Sequence, residues 1–149
     1  MDIASGPSAA LANSGIVIAD SGLIDVTASL APGAGTWRIG DTAANTVGTL
    51  AIETAAPELN VDFDGSGTII SEWADAGSYA GQNLLLLTQT IGTLSINSTG
   101  SLDIAGAIIA GTIAMIAGTS LGFSDTGEID GTVPAGNTIG TLAGFVATD

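Results

Sequence analysis

The chain has no cysteine and no histidine, and Arg38 is its only base. Each absence closes off a class of function. Without cysteine there is neither a disulfide framework nor a thiolate metal site. Without histidine as well, Ser-His-Asp and Cys-His nucleophilic catalysis are both out. One base cannot displace counterions along a phosphate backbone, so nucleic acid is excluded as a partner. Polybasic attachment to anionic lipid fails for the same reason. Aromatic residues make up only 4% of the chain, so any core must be built from Ala, Val, Ile and Leu.

What remains is glycine, small apolar residues and acids. At 149 residues the chain suits one domain, and its 46% hydrophobic content supplies ample apolar surface against disorder. The 22 glycines favour narrow stacked layers of short strands, with glycine at the corners. Fifteen acids give a net charge of −14, which reads as a solvated, self-repelling surface. The opening MDIASGPSAALANSG lacks a basic region and an uninterrupted apolar run, so it does not read as a signal peptide. Leu102 to Phe123 carries only Asp103 as a charge and is long enough to cross a bilayer. Recurrent glycines and the lack of flanking bases argue instead for strands.

Repetition is the strongest signal. Gly48-Thr49-Leu50 returns as Gly67-Thr68-Ile69, and Gly92-Thr93-Leu94 returns as Gly111-Thr112-Ile113, each 19 residues later. Thr46-Val-Gly-Thr-Leu50, Thr90-Ile-Gly-Thr-Leu94 and Thr138-Ile-Gly-Thr-Leu142 recur at longer steps. Periods near twenty residues belong to solenoids. Residues 1–14 read as an irregular lead-in or partial first coil, and 15–149 as the repeat array. Within the array, Ile16–Ile18, Leu23–Val26 and Thr36–Ile39 read as short strands. Leu59, Val61 and Phe63 alternate with Asn60, Asp62 and Asp64, which puts apolar and polar side chains on opposite faces. Leu84–Leu87 is a continuous apolar run, suited to a strand covered on both sides. Residues 71–81 break the pattern and read as a loop or short helix leaving the array. The closing residues 140–149 stop within a new repeat, which suggests a fragment of a longer array with a tendency to stack end to end.

Three motifs bear on chemistry. Asp62-Phe-Asp-Gly-Ser-Gly-Thr-Ile-Ile-Ser-Glu-Trp73 resembles a calcium loop of the EF-hand type, with Asp62, Asp64, Ser66 and Glu72 as candidate ligands. Its twelfth position is Trp73 where a bidentate acid is needed. Pro57 and Gly77 also interrupt the helices that should flank it, so an acidic corner is the simpler reading. Asp62 with Asp64, or Glu72 with Asp75, are the candidate pairs for carboxylate chemistry on polysaccharide. Asn97-Ser98-Thr99 fits a glycosylation sequon and fits a corner equally well.

The stretches Gly65-Ser-Gly-Thr-Ile-Ile-Ser71, Ser98-Thr-Gly-Ser-Leu-Asp-Ile104 and Thr138-Ile-Gly-Thr-Leu-Ala-Gly-Phe145 give the array its grammar. In that grammar the chain resembles the repeat regions of filamentous-haemagglutinin-like exoproteins and autotransporter passengers of bacteria. The resemblance implies a single-stranded right-handed parallel β-helix, secretion to the bacterial cell surface, and a structural or adhesive role toward host or neighbouring cells, with glycans among the partners. It carries over no catalytic residue and no cofactor. A β-sandwich is the alternative fold. A carbohydrate-active β-helix using acids and a calcium-stabilised secreted repeat are the alternative functions.

Overall fold

The computed structural model describes every residue except 5–9, 34, 71–72, 99, 106–108, 117–118, 125–137 and 144–149. At 73–75, 100, 109–111, 119–124 and 138–143 it describes the backbone path. The architecture is all-β, with parallel strands arranged in two sheets. In chain order the strands are β1 (Asp2–Ile3), β2 (Ile16–Ala19), β3 (Gly22–Val26), β4 (Thr36–Ile39), β5 (Gly48–Ile52), β6 (Ala56–Phe63) and β7 (Gly67–Ile70). A 3-10 helix, Trp73–Tyr79, follows. Then come β8 (Asn83–Leu87), β9 (Ile91–Ile96), β10 (Gly100–Ala105), β11 (Ile109–Met115), β12 (Thr119–Ser124) and β13 (Thr138–Ala143).

One sheet has six strands in the order β2-β4-β6-β9-β11-β13, and the other has seven in the order β1-β3-β5-β8-β7-β10-β12. Among the named strands the chain passes from one sheet to the other between each strand and the next, with a single exception. After β7 it stays in the seven-stranded sheet, runs through the 3-10 helix, and returns as β8 in the slot between β5 and β7. The six-stranded sheet therefore keeps sequence order, and its partner carries one inserted rung.

The register explains the repeats and corrects one expectation. Thr93 lies opposite Thr112 and Leu94 opposite Ile113, so the second doublet is one rung stacked directly on the next. Thr112 in turn lies opposite Thr141. The first doublet has the same spacing and a different meaning. Thr49 and Thr68 both face Leu84, from opposite sides, so β8 separates them. Equal spacing in sequence thus produced adjacent rungs once and next-nearest rungs once. Nor do the longer recurrences mark one position, since Thr49 belongs to the seven-stranded sheet while Thr93 and Thr141 belong to the six-stranded one. The rung beside Asp62 is reached from Val61 opposite Ile96, which brings Asn97 next to it.

The main core lies between the sheets. Ile39, Leu59, Val61 and Leu94 come from one sheet, and Leu50, Ile52, Ile69 and Leu85 from the other, all essentially sealed from solvent. These ladders of β-branched and Leu side chains follow from the period-two alternation of each strand. One corner recurs in the six-stranded sheet: Ala56-Pro57-Glu58-Leu59 registers with Ile91-Gly92-Thr93-Leu94, with Ala110-Gly111-Thr112-Ile113 and with Ile139-Gly140-Thr141-Leu142. Ile91 and Leu94 both face inward although three residues apart, so the chain kinks at Gly92. A Cβ at Gly92 would run into the carbonyl oxygen of Pro57, which explains glycine there.

A second apolar cluster lies on the outer face of the seven-stranded sheet. Ala51, Ile70, Leu84, Leu86 and Ala105 are buried there beneath Tyr79 and Ala76 of the 3-10 helix. Every side chain of β8 is consequently buried, Leu85 and Leu87 in the main core and Leu84 and Leu86 under the helix. No helix among the described residues is long and apolar enough to cross a membrane. The apolar segment from Leu102 onward is divided among β10, β11 and β12.

Candidate functional site

The inserted rung brings two turns together, and among the described residues the most elaborate polar arrangement lies where they meet. The first turn, Asp41 to Thr46, closes with an antiparallel backbone bridge between those two residues. Asp41 Oδ1 accepts from the amides of Ala43 and Ala44, at 2.9 and 3.1 Å. This is an Asx-type turn, and Asn45 completes it at φ +55°, a conformation Asn tolerates better than most residues. The second turn joins β6 to β7 through Asp64, Gly65 and Ser66, with Gly65 at φ +101°, where a side chain would be strained.

Asn83, the first residue of β8, ties the turns together. Its Oδ1 accepts from the Gly48 amide at 3.1 Å, and its Nδ2 donates to the carbonyls of Asp64 and Ser66 at 3.0 and 3.2 Å. Gly48 and Gly67 flank it in the same register column. A buried amide thus stands where its neighbours have glycine, and it satisfies three backbone groups that the irregular corner would otherwise strand. Sequence reasoning missed Asn83. Its only signal was an asparagine directly ahead of four leucines.

Of the candidate calcium ligands, Asp62, Asp64 and Ser66 each engage a different side chain. Asp62 Oδ2 accepts from Nε of Arg38 at 3.1 Å, across adjacent strands on the outer face of the six-stranded sheet. Asp64 accepts from the Thr42 hydroxyl at 2.7 Å and from the Thr42 amide at 3.0 Å. Those two bonds hold the Asp64 carboxyl below its ordinary pKa. Ser66 Oγ shares a 2.8 Å hydrogen bond with Ser101 Oγ. Glu72 lies outside the described residues, as does the side chain of Asp75. The loop runs from strand β6 to strand β7, where an EF-hand would have helices. Among the described residues no group of three acids could hold a metal ion. In a catalytic pair Asp64, with its lowered pKa, would suit the ionised base or nucleophile and not the general acid.

The sequon is partly structural. Ser98 is buried and its Oγ accepts from the Phe63 amide at 3.1 Å, while Thr99 lies outside the described residues. One carboxyl that sequence reasoning passed over is Asp25. It stands opposite Asp2 in register, and its Oδ1 is buried without a hydrogen-bond partner. Burial first, then the charges of Glu53 and Asp2, raise its pKa.

Between the two turns lies an open cleft of about 320 Å³, walled by Thr42, Asn45, Val47, Asp64 and Gln82 among others. A second hollow of about 370 Å³ adjoins it on the side of the 3-10 helix, lined by Leu23, Val47, Thr49, Tyr79 and Leu84 among others. Val47, Gly81 and Gln82 belong to both. The pair meets along those three residues as one groove, with Asn45, Asp64 and Ser66 on one side of the shared wall and Leu23, Tyr79 and Leu84 on the other.

No protein-family model, curated protein or solved structure matches this chain.

Proposed function

We propose that the chain is a segment of a secreted, surface-exposed bacterial rod, a single-stranded right-handed parallel β-helix of the filamentous-haemagglutinin-like kind. Its work is reach, display and attachment, and its chemistry needs no cofactor. The observation that carries this reading is the topology. All named strands pair in parallel, and the six-stranded sheet takes its strands in sequence order as the chain alternates between sheets. Successive coils of one winding chain give that order. A sandwich would more commonly be built from antiparallel hairpins and Greek keys. Right-handed winding is the strong preference for crossovers between parallel strands. Seven rungs at about 4.8 Å each make a stack about 30 Å tall.

The outer face of the six-stranded sheet favours display. Glu58, Thr93 and Thr112 stand in one register column and Thr36, Asn60 and Ser95 in the next, each exposed or half-buried. Such a face presents hydroxyl and amide groups with few charges, Glu58 and the Arg38–Asp62 pair among them. At its end, Ile16 and Ile18 are 60% and 47% exposed. We expect β2 and β13, the outer strands of that sheet, to support end-to-end association of copies, opposed by the net charge of −14 and promoted as salt screens it.

Attachment is tested by immobilising the purified chain and counting bound bacterial or host cells, with polysaccharide depolymerisation measured in parallel. The reading expects cell attachment without cleavage. Polysaccharide cleavage that disappears in Asp62→Asn or Asp64→Asn would replace it with the carbohydrate-active reading.

A further inference from the structure

The groove beside the inserted rung is an irregular feature of the described surface, and its chemistry is specific enough to name an occupant. We infer that it binds a neutral, hydroxyl-rich oligosaccharide, with sugar hydroxyls on Asp64, Gln82 and Asn45 and a sugar C–H face on Val47. The inference rests on the adhesive reading above and supplies it with a ligand class.

The argument begins with the two polar groups whose orientation is fixed. Asp64 is held by two hydrogen bonds from Thr42, which leave its remaining lone pairs to accept from hydroxyl donors. Gln82 accepts from the Thr68 hydroxyl at 2.9 Å through Oε1, so its carbonyl end is anchored and its NH2 end is turned to donate. A fixed acceptor and a fixed donor in one wall suit neighbouring hydroxyls of a sugar, which both donate and accept. Asn45, exposed at the turn, adds an amide able to do either.

Shape and charge exclude the rivals. Neither hollow has a basic residue in its lining, and the chain's single base, Arg38, is paired with Asp62, so a phosphate or carboxylate ligand finds no cation. An extended peptide would need an open strand edge to pair with. β8, which borders the groove, is paired on both sides by β5 and β7. A wholly apolar ligand would have to desolvate Asp64. A sugar presents hydroxyl edges and C–H faces in alternation, which matches a groove that sets Asn45, Asp64 and Gln82 beside Val47, Leu23 and Tyr79. The hollows are each near the small end of ligand clefts, about 300–1,000 Å³.

The test is a binding screen of the full chain against neutral, acidic and amino oligosaccharides, read by ligand-observed NMR. Three variants are compared: Gln82→Glu, which keeps the acceptor for Thr68 and removes the donor; Asp64→Asn; and Thr54→Ala, beyond the opposite end of β5, as control. The inference expects binding of neutral glycans, weakened at least about tenfold by Gln82→Glu and by Asp64→Asn and unchanged by Thr54→Ala. Circular dichroism and melting confirm that each variant is folded. Preference for acidic or amino glycans would overturn it, as would neutral-glycan binding indifferent to both groove variants. Cell attachment by a chain that binds none of the three glycan classes would overturn the groove assignment while leaving the adhesive reading standing. Glycan binding without cell attachment would do the reverse.

Discussion

The two sheets face each other across one core, yet their outer faces have opposite fates. Outside the seven-stranded sheet, Leu84 and Leu86 are buried beneath Tyr79 and Ala76 of the 3-10 helix. Outside the six-stranded sheet, Thr93, Ser95, Thr112 and Ala114 are only half-buried. The cause is the single step back that inserts β8. Leaving the stack and returning to an earlier slot requires a crossover, the crossover must lie on a face, and the face beneath it becomes a second core. Irregularity has created both the extra burial and the groove beside it.

The largest expected effect tests that difference directly. Leu86→Ala should cost about 2–4 kcal/mol in urea unfolding, as a buried leucine does, whereas Thr93→Ala should stay within about 0.5 kcal/mol. Similar small costs at both would mean that the 3-10 helix does not cover its sheet. Next in size is Asn83→Ala, which strands the Gly48 amide and the Asp64 and Ser66 carbonyls at once. A loss of about 2–3 kcal/mol is expected, with hydrogen exchange accelerating at Gly48 before it does at Ile96. Uniform acceleration across both sheets would show that Asn83 is not a local staple.

How far these contrasts could be read from sequence depends on the range of the interaction involved. Strand positions were legible because alternation at Leu59, Val61 and Phe63 and glycine corners are local signals. The double burial of Leu84–Leu87 was legible because no polar residue interrupts it. The rung order was not, because the Gly-Thr-Leu and Gly-Thr-Ile doublets carry the same spacing whether or not a strand is later inserted between them. The loop at Asp62–Ser66 resembled a calcium loop, with an acidic corner as the simpler reading, because turns and cation loops share Asp, Ser and Gly. Only the partners Arg38, Thr42 and Ser101, distant in sequence, show how those side chains are used.

A smaller effect sharpens the picture of the covered sheet near its β1 edge. The Asp25 carboxyl, raised in pKa by burial and by Glu53 and Asp2, binds its proton more tightly in the folded chain than in the unfolded one. Its contribution is therefore fully present below the ordinary value of 3.8 and is lost as pH rises through the raised folded value. Asp25→Asn should raise the melting temperature near neutral pH and flatten its dependence on pH above 3.8. An unchanged pH profile would show that Asp25 is no more burdened than a surface acid. Smallest of all, removing the part-exposed Arg38–Asp62 pair by Arg38→Ala should cost no more than about 1 kcal/mol, with the difference shrinking at high salt. A cost that persists in high salt would mean that the pair is more deeply set than its exposure indicates.

The absence of native cysteine offers the most direct test of the inserted rung. The pairs Thr93→Cys with Thr112→Cys and Thr49→Cys with Thr68→Cys have the same separation in sequence. In the fold the first pair is on neighbouring rungs about 4.8 Å apart, and the second is separated by Leu84, at roughly twice that distance. A disulfide needs its Cα atoms within about 7 Å. Under mild oxidation, peptide mapping by mass spectrometry should find the crosslink between positions 93 and 112 in high yield and essentially none between positions 49 and 68. Equal crosslinking of both pairs would contradict the account, because β8 could not then lie between β5 and β7.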